Sequence, residues 1–394
     1  MGIKRRLGKF VLLCILFYFE MVLVNKYRQP ILNFFKYLNY ESQNIYDDVF
    51  VGIVGSVIFS VMNFINSFLI EGIVIYSRKT FIFIIKIVFS CGKDNIEKAN
   101  NSMMDFLFST NVKWGVYQKT DVIKEANTSE GIIACISAVS NGYDLTSEQR
   151  DELLNVLKRM LCRLSEEGYK SYNENTYTVH CTSMGLFAIK KAVDIGLVII
   201  SDEEEEKIIK CLKKLLNNAN NIGWGFKNEY YTEKEYNRAL SSLWAFRALN
   251  AWGFSGHKKY IEILENFVGH TEGLMGFSCE STAKSSTTAL LWILANEIEN
   301  KKTKNMLLSK ISYKKVLSFL LENFKNEIEV EEFIVSLSET KKLPWTHLSE
   351  CLTLEAIAFS LNDISVLQIC SFFYYLRNAI KKINSTHHYY TVAS

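Results

Sequence analysis

The sequence GWGFKNEYYTEKEYNRALSSLWAFRAL, residues 223–249, gives the clearest indication of how this chain folds. It opens with a turn in which glycines alternate with Trp224 and Phe226, and after a polar stretch it continues as a helix of small and apolar residues from Asn237. A helix that is apolar on every side belongs inside a protein. The stretch therefore predicts an inner helix, with Trp224 and Phe226 buried between helical layers.

The same order of turn and helix recurs along residues 95–385, about every 50 to 70 residues, which is typical of helical-repeat proteins. The turns occur at Trp114, Gly168, Gly223, Gly273 and, more weakly, Leu343. The apolar helices after them are expected to begin at Thr128, Tyr177, Asn237, Ser285 and Ser349. Because each of these helices must hide all its faces, we expect the five starts to share one rim.

Amphipathic helices lie between the apolar ones. Residues 148–164 keep apolar side chains at a three-four spacing, and their start fits a capping box formed by Thr146 and Gln149. Ser201 and Glu204 begin the next amphipathic helix in the same way. Since one-sided helices belong outside apolar ones, the repeat predicts two concentric layers, arranged either as a closed ring or as an open superhelix.

Composition agrees with an all-α fold and narrows the classes of function. Only 2 prolines occur in 394 residues, and proline is common in β-sandwiches and long loops. The net charge of +3, without a dense Lys/Arg stripe, argues against a nucleic-acid partner. The 9 cysteines are odd in number and scattered, which predicts reduced thiols rather than disulfides. Those expected to be buried in apolar runs include Cys135, Cys162, Cys211 and Cys370.

The N-terminal third is expected to anchor the chain in a membrane. Residues 49–70 carry no charge and span about 33 Å as a helix, enough to cross a hydrocarbon core. Residues 10–25 form another apolar run behind a basic cluster, and they fit either an uncleaved first span or a signal peptide. Glu20 would be costly against lipid, so it should face the other span or an interface. We predict two transmembrane helices, at 10–25 and 49–75.

These spans set the expected domain organisation and location. The expected divisions are a membrane anchor at 1–79, an interfacial helix or linker at 80–94, the repeat domain at 95–385 and a tail at 386–394. Flanking lysines and arginines favour a multi-pass membrane protein with both termini and the repeat domain in the cytoplasm. The expected partners are membrane lipid, a protein or peptide, and further copies of the chain bound through the transmembrane helices.

The turn at 223–226 and the helix NRALSSLWAFRAL resemble the repeat of the terpenoid cyclase and protein prenyltransferase superfamily, and the resemblance covers residues 95–385. It implies an α/α toroid of about five to six helix pairs around a central cavity. The family's chemistry does not carry over. The sequence lacks the Asp-x-Asp-Asp acid of the squalene cyclases, and the Asp and Cys of the prenyltransferase zinc site have no match.

Polar residues at the starts of the apolar helices form the candidate rim of the cavity. They are Glu130, His180, Cys181, Arg238, Ser241, Thr287, His347, Glu350 and Cys351. His347 and Cys351 share a helix face and are sound zinc ligands, but single pairs at this spacing are common by chance. Cys181 or Cys351 with a histidine base could act as a nucleophile, although nothing in the sequence orients the base. We predict no metal or cofactor and assign no catalytic residue.

Three classes of function remain open. The missing catalytic motifs and the anchor favour a binding, sensor or effector module for a peptide, lipid or protein partner. The alternative is a membrane-bound isoprenoid cyclase or prenyltransferase-like enzyme, in which an aromatic-lined cavity would suit a carbocation. Pore formation is the third, since Gly52, Gly55, Asn63 and Asn66 suit helix association in lipid. An acid or metal cluster inside the ring would favour the enzyme.

Overall fold

The computed structural model describes the chain from residue 79 to residue 385, with gaps. The described residues are 79–87, 89, 91–108, 125–170, 177–225, 239–269, 271–276, 282–323, 330–336, 339–344, 348–361 and 364–385. The predicted membrane spans, the turn at Trp114, and Phe226 lie outside them. Among the described residues, none of the helices has both the length and the apolar character needed to cross a membrane. Contacts divide the chain into two units, residues 1–85 and residues 86–394. All helices and strands from Lys93 onwards belong to the second unit.

Helices make up nearly all of the described part of this unit, which confirms the all-α class. They are α1 (Lys93–Leu107), α2 (Glu125–Ser140), α3 (Ser147–Arg163), α4 (Val179–Asp194), α5 (Asp202–Asn217), α6 (Ala239–Ala251), α7 (Lys258–Val268), α8 (Ser285–Glu297), α9 (Lys301–Lys310), α10 (Tyr313–Asn323), α11 (Leu348–Ala358) and α12 (Val366–Ser385). A short 3-10 helix, Phe254–Gly256, connects α6 to α7. An antiparallel hairpin of β1 (Val330–Ser336) and β2 (Glu339–Pro344) lies between α10 and α11 in the sequence.

Five helices, α2, α4, α6, α8 and α11, form an inner layer. Each contacts the next in that order, and α6 and α8 are buried along most of their length. These are the helices that the sequence marks as apolar on every side, and each begins within about one turn of its predicted position. The amphipathic helices bury one face in the same core, as α5 does with Ile208, Leu212 and Leu215.

The first and last helices of this unit are neighbours. Helix α1 contacts α2 and α12, and α12 contacts α11, so the contacts run in a circuit from α2 through α4, α6, α8, α11, α12 and α1 back to α2. Cys91, just before α1, donates from Sγ to the backbone oxygen of Phe373 in α12 at 3.6 Å. The rings of Phe89 and Tyr374 meet edge to face, with centroids 6.4 Å apart.

A hydroxyl on each of three inner helices binds the turn that precedes the helix, and we call this contact the turn clamp. The backbone N–H groups of three turn residues donate to these hydroxyls: Tyr169 to Thr182 at 2.9 Å, Trp224 to Ser242 at 2.9 Å and Met275 to Thr288 at 3.0 Å. All three hydroxyl-bearing residues are buried. The repeat seen in the sequence is therefore also a repeat of hydrogen bonds.

The clamp at Trp224 explains the glycine before it. Gly223 has a φ of 130°, and a Cβ atom there would lie 2.5 Å from Ser242 Oγ. The indole of Trp224 is buried, and its Nε1 donates to the backbone oxygen of Leu215 in α5 at 2.7 Å. Trp224 thus ties an outer helix to the inner layer, which confirms its predicted burial.

The preceding repeat contains the same contacts. Gly168 has a φ of 102°, and a Cβ atom there would lie 2.2 Å from Thr182 Oγ1. The Tyr169 hydroxyl donates to the backbone oxygen of Met160 in α3 at 2.8 Å. In both repeats the ring reaches a carbonyl 9 residues earlier in the chain, so the turn holds the two layers together in the same way.

The predicted helix starts on the outer layer are confirmed. Thr146 and Gln149 form a reciprocal capping box at α3, and Ser201 and Glu204 form another at α5. In each box the N-cap hydroxyl accepts from the third residue's backbone N–H, while that residue's side chain accepts from the N-cap. The local sequence therefore fixes where these two helices begin.

The fifth repeat departs from the prediction. Leu343, expected to open a turn like that at Trp224, lies in strand β2 and is paired with Glu331 of β1. Strand β1 contains the run Phe333-Ile334-Val335, and aromatic and β-branched residues favour strands. A local strand signal thus replaces the aromatic turn before α11.

The cysteine prediction is confirmed in part. All seven described cysteines are free thiols, and Cys135 and Cys211 are buried. Cys370 is only half-buried and Cys162 is exposed, so their predicted burial is wrong. Cys162 is exposed because Met160 and its neighbours occupy the buried face of α3.

Removing a clamp hydroxyl should destabilise the fold. Ser242→Ala leaves the buried N–H of Trp224 without its acceptor, which costs about 1–3 kcal/mol. Ser183 is equally buried on α4, but its hydroxyl has no hydrogen-bond partner among the described residues, so Ser183→Ala is the matched control and should be neutral or stabilising. Urea unfolding measures both variants, and equal effects would contradict the clamp.

Candidate functional site

Counting from the clamp hydroxyl defines equivalent positions on the inner helices. The second, fifth and ninth residues after the hydroxyl lie on one helix face, which we call the inner face. Phe187 is the fifth residue on α4, and its ring meets that of Trp244, the second residue on α6, with centroids 5.7 Å apart. Arg247 is the fifth residue on α6 and pairs with Glu297, the ninth on α8. The inner face of α6 therefore contacts those of α4 and α8.

Arg247 is a buried cation at the centre of these contacts. Its Nε and Nη2 donate to Glu297 Oε2 and Oε1 at 2.8 and 2.6 Å, a bidentate pair that joins α6 to α8. Its guanidinium carbon lies 4.5 Å from the ring centroid of Phe187 and 4.7 Å from that of Trp244. Cation–π contacts thus join α6 to α4, and the two aromatic faces are already occupied by a cation.

Glu355 places a reachable carboxylate near this ion pair. It is the second residue after Thr353 on α11 and is exposed to solvent. Loss of hydration among surrounding protein atoms raises its pKa, Glu297 adds to the rise, and the Arg247 and Lys191 cations oppose it. Glu355 is therefore a solvent-exposed carboxyl group whose protonated form is favoured by its surroundings.

Glu130 is a carboxyl group on the first inner helix, α2, and it is half-buried. Burial raises its pKa to about 7, so its charge changes near neutral pH. A perturbed carboxyl group on an inner helix marks a candidate functional site, and Glu130 was already a candidate from the sequence. The first and last inner helices thus each carry a carboxyl group with a raised pKa.

The remaining rim candidates have different surroundings. Ser241 and Thr287 are buried. Thr287 Oγ1 donates to the backbone oxygen of Met275 at 2.7 Å, so Thr287 also binds the turn that precedes α8. The half-buried candidates besides Glu130 are His180, Cys181, Glu350 and Cys351. By helix periodicity, His180 lies one turn before the second residue after Thr182 on α4. Cys351 lies one turn before Glu355 on α11.

His347 and Cys351 are the weak candidates for a metal site in a chain for which no metal is predicted. Arg238 and His347 lie outside the described residues, so the spacing of His347 and Cys351 has no structural counterpart here. Within the described ranges, no three His, Cys, Asp or Glu side chains are grouped in a way that could hold a metal ion.

Sequence reasoning missed Arg247, Glu297 and Glu355. A signal for two of them was present, because Arg247 is the lone charge in α6, and Glu355 is, with Glu350, one of two charges in α11. A charge on a fully buried helix requires a partner, and the partner here comes from the end of a neighbouring inner helix. The sequence prediction placed the candidate rim at the helix starts, whereas Arg247 and Glu297 lie towards the opposite ends of their helices.

Comparisons with protein-family models, with curated proteins and with solved structures gave no match for this chain. The interpretation of the site therefore rests on its own residues.

Glu130→Gln should stabilise the fold at neutral pH and leave it nearly unchanged in mild acid. The pKa of Glu130 rises from 4.5 to about 7 on folding, so the folded state keeps a proton that the unfolded state releases. Stability from this group is thus fully present below about pH 4.5 and is lost as the pH rises through about 7, by up to about 3 kcal/mol.

Urea midpoints of wild type and variant at pH 4.5 and 7.5 measure this effect. Glu322→Gln, which removes an exposed carboxyl group from α10, is the control for the loss of one negative charge. A stability difference between wild type and Glu130→Gln that stays constant across this range would contradict the assignment.

Proposed function

We propose that the chain is a membrane-anchored α/α toroid that serves as a binding module for a peptide or protein partner carrying a basic group. The circuit of helix contacts supports the toroid, because an open superhelix keeps its first and last helices apart. Five inner helices lie in sequence order around the circuit, and α1 with α12 occupies the interval between α11 and α2. The helix count agrees with the family that the aromatic turns resemble.

The observation that carries the binding function is the pair of carboxyl groups at Glu130 and Glu355, on the first and last inner helices. Both are reachable by solvent, and both have raised pKa values because burial removes their hydration. A basic ligand group would stabilise the ionised form of these carboxyl groups, since an opposite charge favours that form. Binding such a ligand would therefore offset the hydration that the two carboxylates lose on folding.

The chemistry of the inner face argues against the cyclase alternative. A carbocation needs open aromatic faces, and the rings of Phe187 and Trp244 are buried against Arg247. The Lys191 ammonium lies 5.2 Å from the ring centroid of Phe187 as well. A resident guanidinium beside these rings would repel a cationic intermediate, which supports binding over isoprenoid cyclisation.

The anchor is the part of the proposal that rests on sequence. The spans at 10–25 and 49–75 lie outside the described residues, and their length and lack of charge support a multi-pass anchor. Basic flanks favour a cytoplasmic repeat domain, where a peptide or protein partner would meet the inner face.

Thermal shifts of the purified full chain test this function. A pool of Lys- and Arg-containing peptides should raise the unfolding temperature, because a ligand at about 100 times its Kd stabilises the fold by about 2.7 kcal/mol. The shift should disappear in Glu355→Gln and persist in Glu322→Gln, whose carboxyl group lies on α10 in the outer layer. A matched pool of acidic peptides should give no shift.

A parallel incubation with farnesyl diphosphate or squalene tests the enzyme alternative. The binding function predicts unchanged substrate after prolonged incubation. Conversion to a new product by wild type, together with no shift from the basic peptides, would overturn the proposal in favour of the enzyme.

A further inference from the structure

A helical segment ahead of the repeat domain exposes large apolar side chains. Residues 79–87 are helical, and Phe83, Ile84 and Ile87 are 63%, 50% and 61% exposed. These three residues follow an i, i+1, i+4 pattern, so they share one side of the helix. Exposed apolar groups gathered on one helical turn mark an interaction surface, whereas single exposed residues are normal on proteins.

Exposed cations lie on the same short helix. Lys79 and Lys86 are both exposed, and Lys86 follows Phe83 by three residues, which brings it beside the apolar side chains. An apolar face bordered by lysines suits the boundary between lipid headgroups and acyl chains of an anionic bilayer.

The distance along the chain to the expected membrane span also favours lipid. The uncharged run at 49–70 ends shortly before this helix, and the intervening residues 71–78 reach at most about 30 Å when fully extended. This step rests on the anchor in the proposed function. With the span in a bilayer, the helix is confined close to that bilayer's surface.

We infer that the helix at 79–87 docks on an anionic lipid surface through Phe83, Ile84 and Ile87. This contact would hold the start of the repeat domain at the membrane, in addition to the anchor itself. The partner is the bilayer, and a protein occupant of the same face is an outcome of the test.

Lipid photocrosslinking of the full chain tests the docking. A diazirine-bearing residue replaces Phe83 in one variant and Ile199 in the other, and both proteins are reconstituted in vesicles of phosphatidylglycerol and phosphatidylcholine. Ile199 is the matched control because it is an apolar residue, 93% exposed, in the connection between α4 and α5. Lipid adducts by mass spectrometry should be several-fold more abundant at position 83, and Lys86→Glu should lower that yield.

The outcomes separate the docking from the anchor. Full chain that resists carbonate extraction but forms equal lipid adducts at 83 and 199, or protein adducts at 83, would overturn the docking and leave the anchor intact. Full chain that carbonate releases from the vesicles would overturn both.

Discussion

The hydrogen bond from a turn to the hydroxyl of the following inner helix is the constraint on which the repeat depends. In the third repeat, Ser242 accepts from the N–H of Trp224, and the Trp224 indole then reaches Leu215 on the outer layer. One residue thus fixes the turn, the inner helix and the outer helix relative to each other. The glycine before Trp224 is required because the turn approaches the hydroxyl too closely for a side chain. Burial of apolar surface stabilises the two layers, and the clamp gives them one register.

That register brings charged residues of neighbouring inner helices together. With the inner helices aligned by their clamps, Arg247 meets Glu297 on the next helix, and Glu355 lies within electrostatic reach of both. A buried ion pair of this kind adds little stability relative to apolar packing, but breaking it would leave an unpaired buried charge. The inner layer therefore combines a fixed, fully paired cation with carboxyl groups that solvent can reach, which is a suitable arrangement for receiving a basic ligand.

Periodicity and capping predicted most of the fold, whereas the site depends on contacts between residues that are far apart in the sequence. The capping boxes, the five apolar helices and the burial of Trp224 follow from local pattern, because each depends on residues close together in sequence. The hairpin before α11 was missed because a short strand signal competed with the repeat. The partnership of Arg247 with Glu297 spans 50 residues, so no local pattern contains it. Glu130 was found from sequence as a polar residue at an inner helix start, but its raised pKa depends on burial that only the folded chain supplies.

Two glycine substitutions test whether the turns are clamped against inner-helix hydroxyls. Gly223 and Gly253 both have positive φ, 130° and 83°, but a Cβ atom at Gly223 meets Ser242 Oγ at 2.5 Å, whereas one at Gly253 meets nothing within 4 Å. Urea unfolding should give a loss of about 1–2 kcal/mol for Gly253→Ala from backbone strain alone. Gly223→Ala should lose at least about 3 kcal/mol, because steric overlap adds to strain. Equal losses would contradict the clamp.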